Sequence, residues 1–175
     1  MPLNLKTVIY SSQNFFLYKR TSGTNLYLVM QLLTGFVKTD KLPKTKMILR
    51  ESLPQIFLNE CFNEESLCFS KEVENTEIGH LFEHILLQNL LQKNLSNEQE
   101  LEINGETFWN WKKETIGKFH IQIEGKNLKE RSLQPSIDDS ISLLEKIINS
   151  HSYLPNEKET DGHRDRPFLH YSAQL

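Results

Sequence analysis

Two cysteines, seven glycines and six prolines in 175 residues leave little material for a disulfide scaffold, a collagenous repeat or a low-complexity chain. Cys61 and Cys68 are not spaced as C-x-x-C, and their expected state is that of buried or half-buried thiols in a reducing compartment. Positive charge is not in excess either. Lys and Arg number 20 against 23 Asp and Glu, a formal net charge of -3, so the sequence offers no basic field for nucleic acid. The longest apolar run, Leu26 to Val37, is broken by Gln31 and Thr34 and falls short of the roughly 20 residues of a membrane helix. Residues Met1 to Arg20 lack the features of a secretory signal, so the expected location is the cytoplasm, with no membrane partner. No internal repeat is present.

What the chain does contain is enough apolar material, 38% of residues, for one core. Val8 to Tyr10, Phe15 to Tyr18 and Leu26 to Val37 are rich in β-branched and aromatic residues and read as three strands. Leu49, Leu53, Ile56, Phe57 and Cys61 recur at helical intervals, which predicts a helix over Leu49 to Phe62 with Pro54 in its first turn. From Thr76 to Leu95 a long apolar-rich run without proline gives the strongest helix signal in the chain. Leu101, Ile103 and the Asn104-Gly105 pair predict a hairpin turn followed by a second extended run from Thr107. Between Gly117 and Glu124 the residues alternate, with Phe119, Ile121 and Ile123 on one face and His120, Gln122 and Glu124 on the other. Pro135, Ser136 and Asp138 are expected to open a last helix carrying Ile141, Leu144, Ile147 and Ile148. The expected architecture is α+β, a mostly antiparallel sheet with flanking helices, forming one domain over residues 1–150. Residues 151–175, with Asn156 to Arg166 almost devoid of apolar side chains, read as a mobile tail.

Within the long helix, His80-Leu81-Phe82-Glu83-His84 spells H-x-x-E-H. Two imidazoles at i and i+4 share a face, and a carboxylate beside them can take a proton from water activated by a zinc ion. The alternative is that His80, Glu83, His84 and Gln88 are the solvated face of an amphipathic helix. Glu124, across a cleft on the polar face of the later strand, is the preferred third ligand, with His120 its competitor. His120 is also a candidate donor to a tetrahedral intermediate. Phe108-Trp109-Asn110-Trp111 reads as an aromatic strand edge or loop packed on the core.

Leu53-Pro54 through Cys61, then Gly79-His80-Leu81-Phe82-Glu83-His84, then Gly105-x-Thr107 and Gly117-x-Phe119-x-Ile121-x-Ile123-Glu124 together resemble the N-terminal domain of cyanophycin synthetase. The likeness runs from about Val8 to Ser150. It implies an α+β domain that contacts an Asp/Arg polymer and, in some members, resembles a metallopeptidase cutting it. His80, Glu83 and His84 match that motif, and Glu124 matches its strand-end glutamate. Gln88, Gln55 and Gly125 depart from the family pattern, which bears on substrate contacts. The synthetase's ligase domains have no counterpart in 175 residues. The resulting expectation is a zinc-dependent hydrolase acting on a peptide or peptide-like polymer, assembled as a homodimer. The competing expectation is a non-catalytic module that binds such a polymer or a partner enzyme.

Overall fold

The computed structural model describes residues 6–22, 25–61, 68–94, 102–126, 130–151 and 169–174. Strands β1 (Lys6–Ser11), β2 (Phe15–Ser22) and β3 (Asn25–Leu32) form an antiparallel meander. The chain then leaves the sheet through α1 (Thr45–Ser52), a 3-10 turn at Pro54–Leu58, the short α2 (Phe69–Glu72) and the long α3 (Ile78–Asn94). It returns as β4 (Glu102–Trp109) and β5 (Lys118–Lys126), adds α4 (Glu130–Asn149), and ends in β6 (Leu169–Gln174). The strands lie in the order β1-β2-β3-β5-β4-β6, every neighbouring pair antiparallel. This is the α+β architecture that the sequence predicts. No helix among the described residues is long and apolar enough to cross a membrane.

Alternation decides which side of the sheet is covered. On β5, Phe119, Ile121 and Ile123 are fully buried, and their partners on β4, Thr107 and Gly105, share that face. Against this face lies α3, buried nearly all round because β4 and β5 flank it on one side and α4 on the other. Gly79 permits that approach, since a Cβ there would lie 2.3 Å from Cγ of Phe119. On the far side of α3, Asn89 donates to Ser140 of α4 (2.9 Å), and Ser132 to Asn94 (3.2 Å). A second tie joins α4 to the first hairpin. Glu145 accepts from the Tyr10 hydroxyl (3.1 Å), Ser12 (2.6 Å) and Asn14 (2.5 Å).

Four local expectations give way to the tertiary structure. Asn104 and Gly105 lie inside the continuous strand β4, and no turn forms there. The β4–β5 connection instead runs through residues 110–117, where Gly117 takes φ +78°, a left-handed conformation that glycine adopts without steric cost. Around Pro54 there is no single helix from Leu49 to Phe62. Leu53, just before the proline, leaves the helical region at φ -148° and ψ 57°, because the proline ring crowds its backbone. Pro135 falls inside α4, which is already formed at Glu130. Finally, part of the expected tail is a strand, since Leu169–Gln174 pairs with Asn104–Trp109; residues 152–168 lie outside the described residues.

Candidate metal centre

Helix α3 projects His80, Glu83 and His84 into the interior, and each has no exposed surface. A solvated polar stripe is therefore excluded. His80 and His84 stand one helical turn apart, and their Nε2 atoms approach to 3.1 Å. The third member of the group is Cys61, fully buried just after the 3-10 turn, with Sγ 3.4 Å from Nε2 of His80. One ligating atom from each of Cys61, His80 and His84 fits within a mutual span of 4.8 Å. A tetrahedral zinc with Zn–N of about 2.0–2.1 Å and Zn–S of about 2.3 Å separates its ligand atoms by about 3.3–3.6 Å. The Cys61–His80 contact at 3.4 Å falls in this range, and the His80–His84 contact at 3.1 Å is slightly shorter.

The surroundings hold both rings in place. Thr76 Oγ1 lies 2.7 Å from Nδ1 of His80. His84 is instead stacked on Phe69 of α2, ring centroids 3.9 Å apart and planes 21° from parallel. Phe69 meets His80 edge-on at 6.1 Å. Among the described residues, Nδ1 of His84 and Oε1 of Glu83 are buried without a hydrogen-bond partner. Unsatisfied buried polar atoms cost free energy and mark places where an ion or water belongs.

Burial decides the protonation states. It pushes His80 down to about 3 and drives His84, with the His80 ring beside it, well below the usual histidine range. Both rings are thus neutral, the form that binds metals. Burial, with Glu72 and Glu83 nearby, raises the Cys61 thiol to about 12. Glu83 rises to about 8, mainly by burial, although Thr107 donates to its Oε2 at 2.5 Å and opposes the rise. Its carboxyl occupies space that Gly105 leaves open, because a Cβ on that glycine would sit 2.6 Å from Oε1 of Glu83. The Gly105-x-Thr107 step of β4 is the cradle of Glu83.

Comparison with family models, curated proteins and solved structures gives no match. The site therefore rests on its own geometry. That geometry joins His80 and His84 as the spacing predicts, while Glu83, one turn from His80 on the same helix, turns its carboxyl to Gly105 and Thr107 of β4, and neither Glu124 nor His120 comes to the group. Both project from the uncovered face of the sheet, since they alternate with the buried Phe119, Ile121 and Ile123. Glu124 accepts from Asn25 (2.8 Å) and Gln122 (2.7 Å). His120 sits between the Tyr27 hydroxyl (2.5 Å) and Glu114 (2.7 Å), stacked on Phe108 with centroids 5.0 Å apart. The sheet itself separates them from α3. Cys61 takes the place expected of Glu124; its one cue in the sequence is its position in the family resemblance, after Leu53-Pro54 and ahead of the histidines. Trp109 packs into the core as expected and Trp111 lies against it, its Nε1–H donating to the carbonyl of Lys118 at 3.1 Å.

Proposed function

We propose that this chain is a zinc-dependent hydrolase of peptide or isopeptide bonds, with Cys61, His80 and His84 holding the ion and Glu83 acting as general base. The observation that carries this reading is the convergence of one buried thiol and two neutral imidazoles, with one ligating atom of each within 4.8 Å of the others. Three protein ligands and an open fourth position are the pattern of catalytic zinc sites, whereas structural sites use four. Zinc held there supplies a Lewis acid that polarises a carbonyl oxygen and makes water acidic. Glu83, on the same helix, takes the proton from the attacking water through Oε1, the oxygen that Thr107 does not engage. The resemblance to the cyanophycin synthetase N-terminal domain supports an Asp/Arg polymer as the first substrate to try. A cytoplasmic location belongs to the same reading, because a reducing compartment preserves the Cys61 thiol as a ligand.

A second reading has one observation in its favour. The donors and Glu83 are wholly buried, which suits an ion that only stabilises a polymer-binding or partner-binding module. The two separate by experiment. Elemental mass spectrometry on untagged protein is expected to give one zinc per chain, lost in Cys61→Ser and in the His80→Ala, His84→Ala double variant. Glu83→Gln is expected to keep the zinc and lose cleavage of the Asp/Arg polymer or of a peptide library. Zinc without cleavage of any substrate selects the binding module; no zinc in the wild type ends both metal readings.

A further inference from the structure

Resting on the metal centre proposed above, we infer that Thr76 is its positioning residue, accepting the Nδ1–H of His80 and so turning a bare Nε2 towards Cys61 and His84. Neutral histidine carries its proton on one nitrogen, and the hydrogen bond made by the other decides which is open to a metal. Thr76 Oγ1 lies 2.7 Å from Nδ1 of His80, on the side of the ring away from Nε2, which faces Sγ of Cys61 and Nε2 of His84.

Thr76 itself is held rigidly. Its N–H donates to Oγ1 of Thr39 (2.9 Å), and the N–H of Thr39 donates to the Thr76 carbonyl (2.9 Å). Both threonines are buried. The clamp continues into α3, where the N–H of Ile78 donates to the Val37 carbonyl (2.8 Å), and Lys38 pairs with Glu77 at 3.3 Å. The segment Val37–Thr39, bridged to Glu77 at Lys38, thereby sets the start of α3 and, through Thr76, the orientation of a ring four residues on. His84 has no such hydrogen bond among the described residues, and stacking on Phe69 orients it instead. The two rings are thus oriented by different devices, and the Thr76 hydroxyl contacts His80 alone of the two.

Thr76→Val keeps the shape and removes the hydroxyl, whereas Thr76→Ser keeps the hydroxyl. Zinc affinity, measured by competition with a chromophoric chelator, is expected to fall about 10–100-fold in Thr76→Val and to stay near wild type in Thr76→Ser. Nitrogen-15 NMR of the metal-free proteins supplies a readout that loss of stability would not mimic. The His80 proton is expected on Nδ1 in wild type and Thr76→Ser, and on Nε2 or shared in Thr76→Val. Should Thr76→Val not fold, the wild-type spectrum still decides, because a proton on Nε2 overturns the assignment. Wild type that binds zinc, with Thr76→Val equally tight, refutes the role of Thr76 and leaves the metal centre standing. Wild type that binds no zinc removes the centre and this role together.

Discussion

Replacing Glu83 by Gln in the metal-free protein tests the electrostatics of the site without needing a substrate. Folding raises the Glu83 pKa from 4.5 to about 8, so the folded state keeps a proton that the unfolded state has lost. A group shifted upward contributes its stability below the unfolded value and loses it as pH climbs through the folded one. The loss amounts to about 1.4 kcal/mol per pH unit between those values. His80 and His84 are shifted downward from 6.5, so their contribution is complete above that pH and is lost on acidification. Below pH 6.5 the two histidines outweigh the glutamate, and above it the glutamate acts alone. Metal-free wild type should therefore be most stable near pH 6.5 and lose on the order of 2 kcal/mol by pH 8. Cys61, raised from 9.0 to about 12, adds its own loss only above pH 9, which sets the upper limit of the experiment. Urea unfolding in a chelator at pH 6.5, 7.3, 8.0 and 8.7 measures the profile, and Glu83→Gln should abolish the alkaline decline. Saturating zinc should also flatten it in wild type, since the cation favours the ionised carboxylate. A difference between wild type and Glu83→Gln that stays constant over this range would show that Glu83 is already ionised in the fold, and the argument from burial would fail.

Three other substitutions probe the geometry. Gly105→Ala places a Cβ 2.6 Å from Oε1 of Glu83; overpacking of this kind should cost about 1–3 kcal/mol in urea unfolding while zinc content is kept, because only the base is displaced. Gly79→Ala drives a Cβ to 2.3 Å from the buried Phe119 ring, a stiffer obstacle, so its loss should be the larger of the two and show as the lower melting temperature. Glu124→Gln should leave zinc content unchanged in elemental analysis, because Glu124 bonds Asn25 and Gln122 on the uncovered face; loss of zinc there would contradict the separation of the two sheet faces.

Local pattern was a good guide where one environment acted along a whole segment. Phe119, Ile121 and Ile123 alternate because one side of β5 meets α3 and the other does not, and the period of two records that directly. The apolar run of α3 likewise reports a helix enclosed on several sides. Pattern misled at Asn104-Gly105, whose turn chemistry is strong in isolation but which lies between β5 and β6 in the sheet. There the glycine answers the bulk of Glu83 from another element, a demand that no neighbouring residue displays. β6 was missed although Leu169, Tyr171 and Ala173 alternate with His170, Ser172 and Gln174, because this short segment follows residues 156–166, almost devoid of apolar side chains, and its pairing partner β4 is distant in the chain.

The same division runs through the candidate site. Spacing alone determined that His80 and His84 share a helical face with Glu83 beside them, because an α-helix places residues three and four apart as neighbours. The antiparallel α+β class was read from the alternating and helical segments together with the family resemblance. Only the tertiary structure decided that this face turns inward, that Cys61 rather than Glu124 meets it, and that Thr76, Thr107 and Gly105 shape its surroundings. The reason is physical: periodicity reports which side of an element a residue occupies, whereas the partner across the gap is chosen by how separate elements pack.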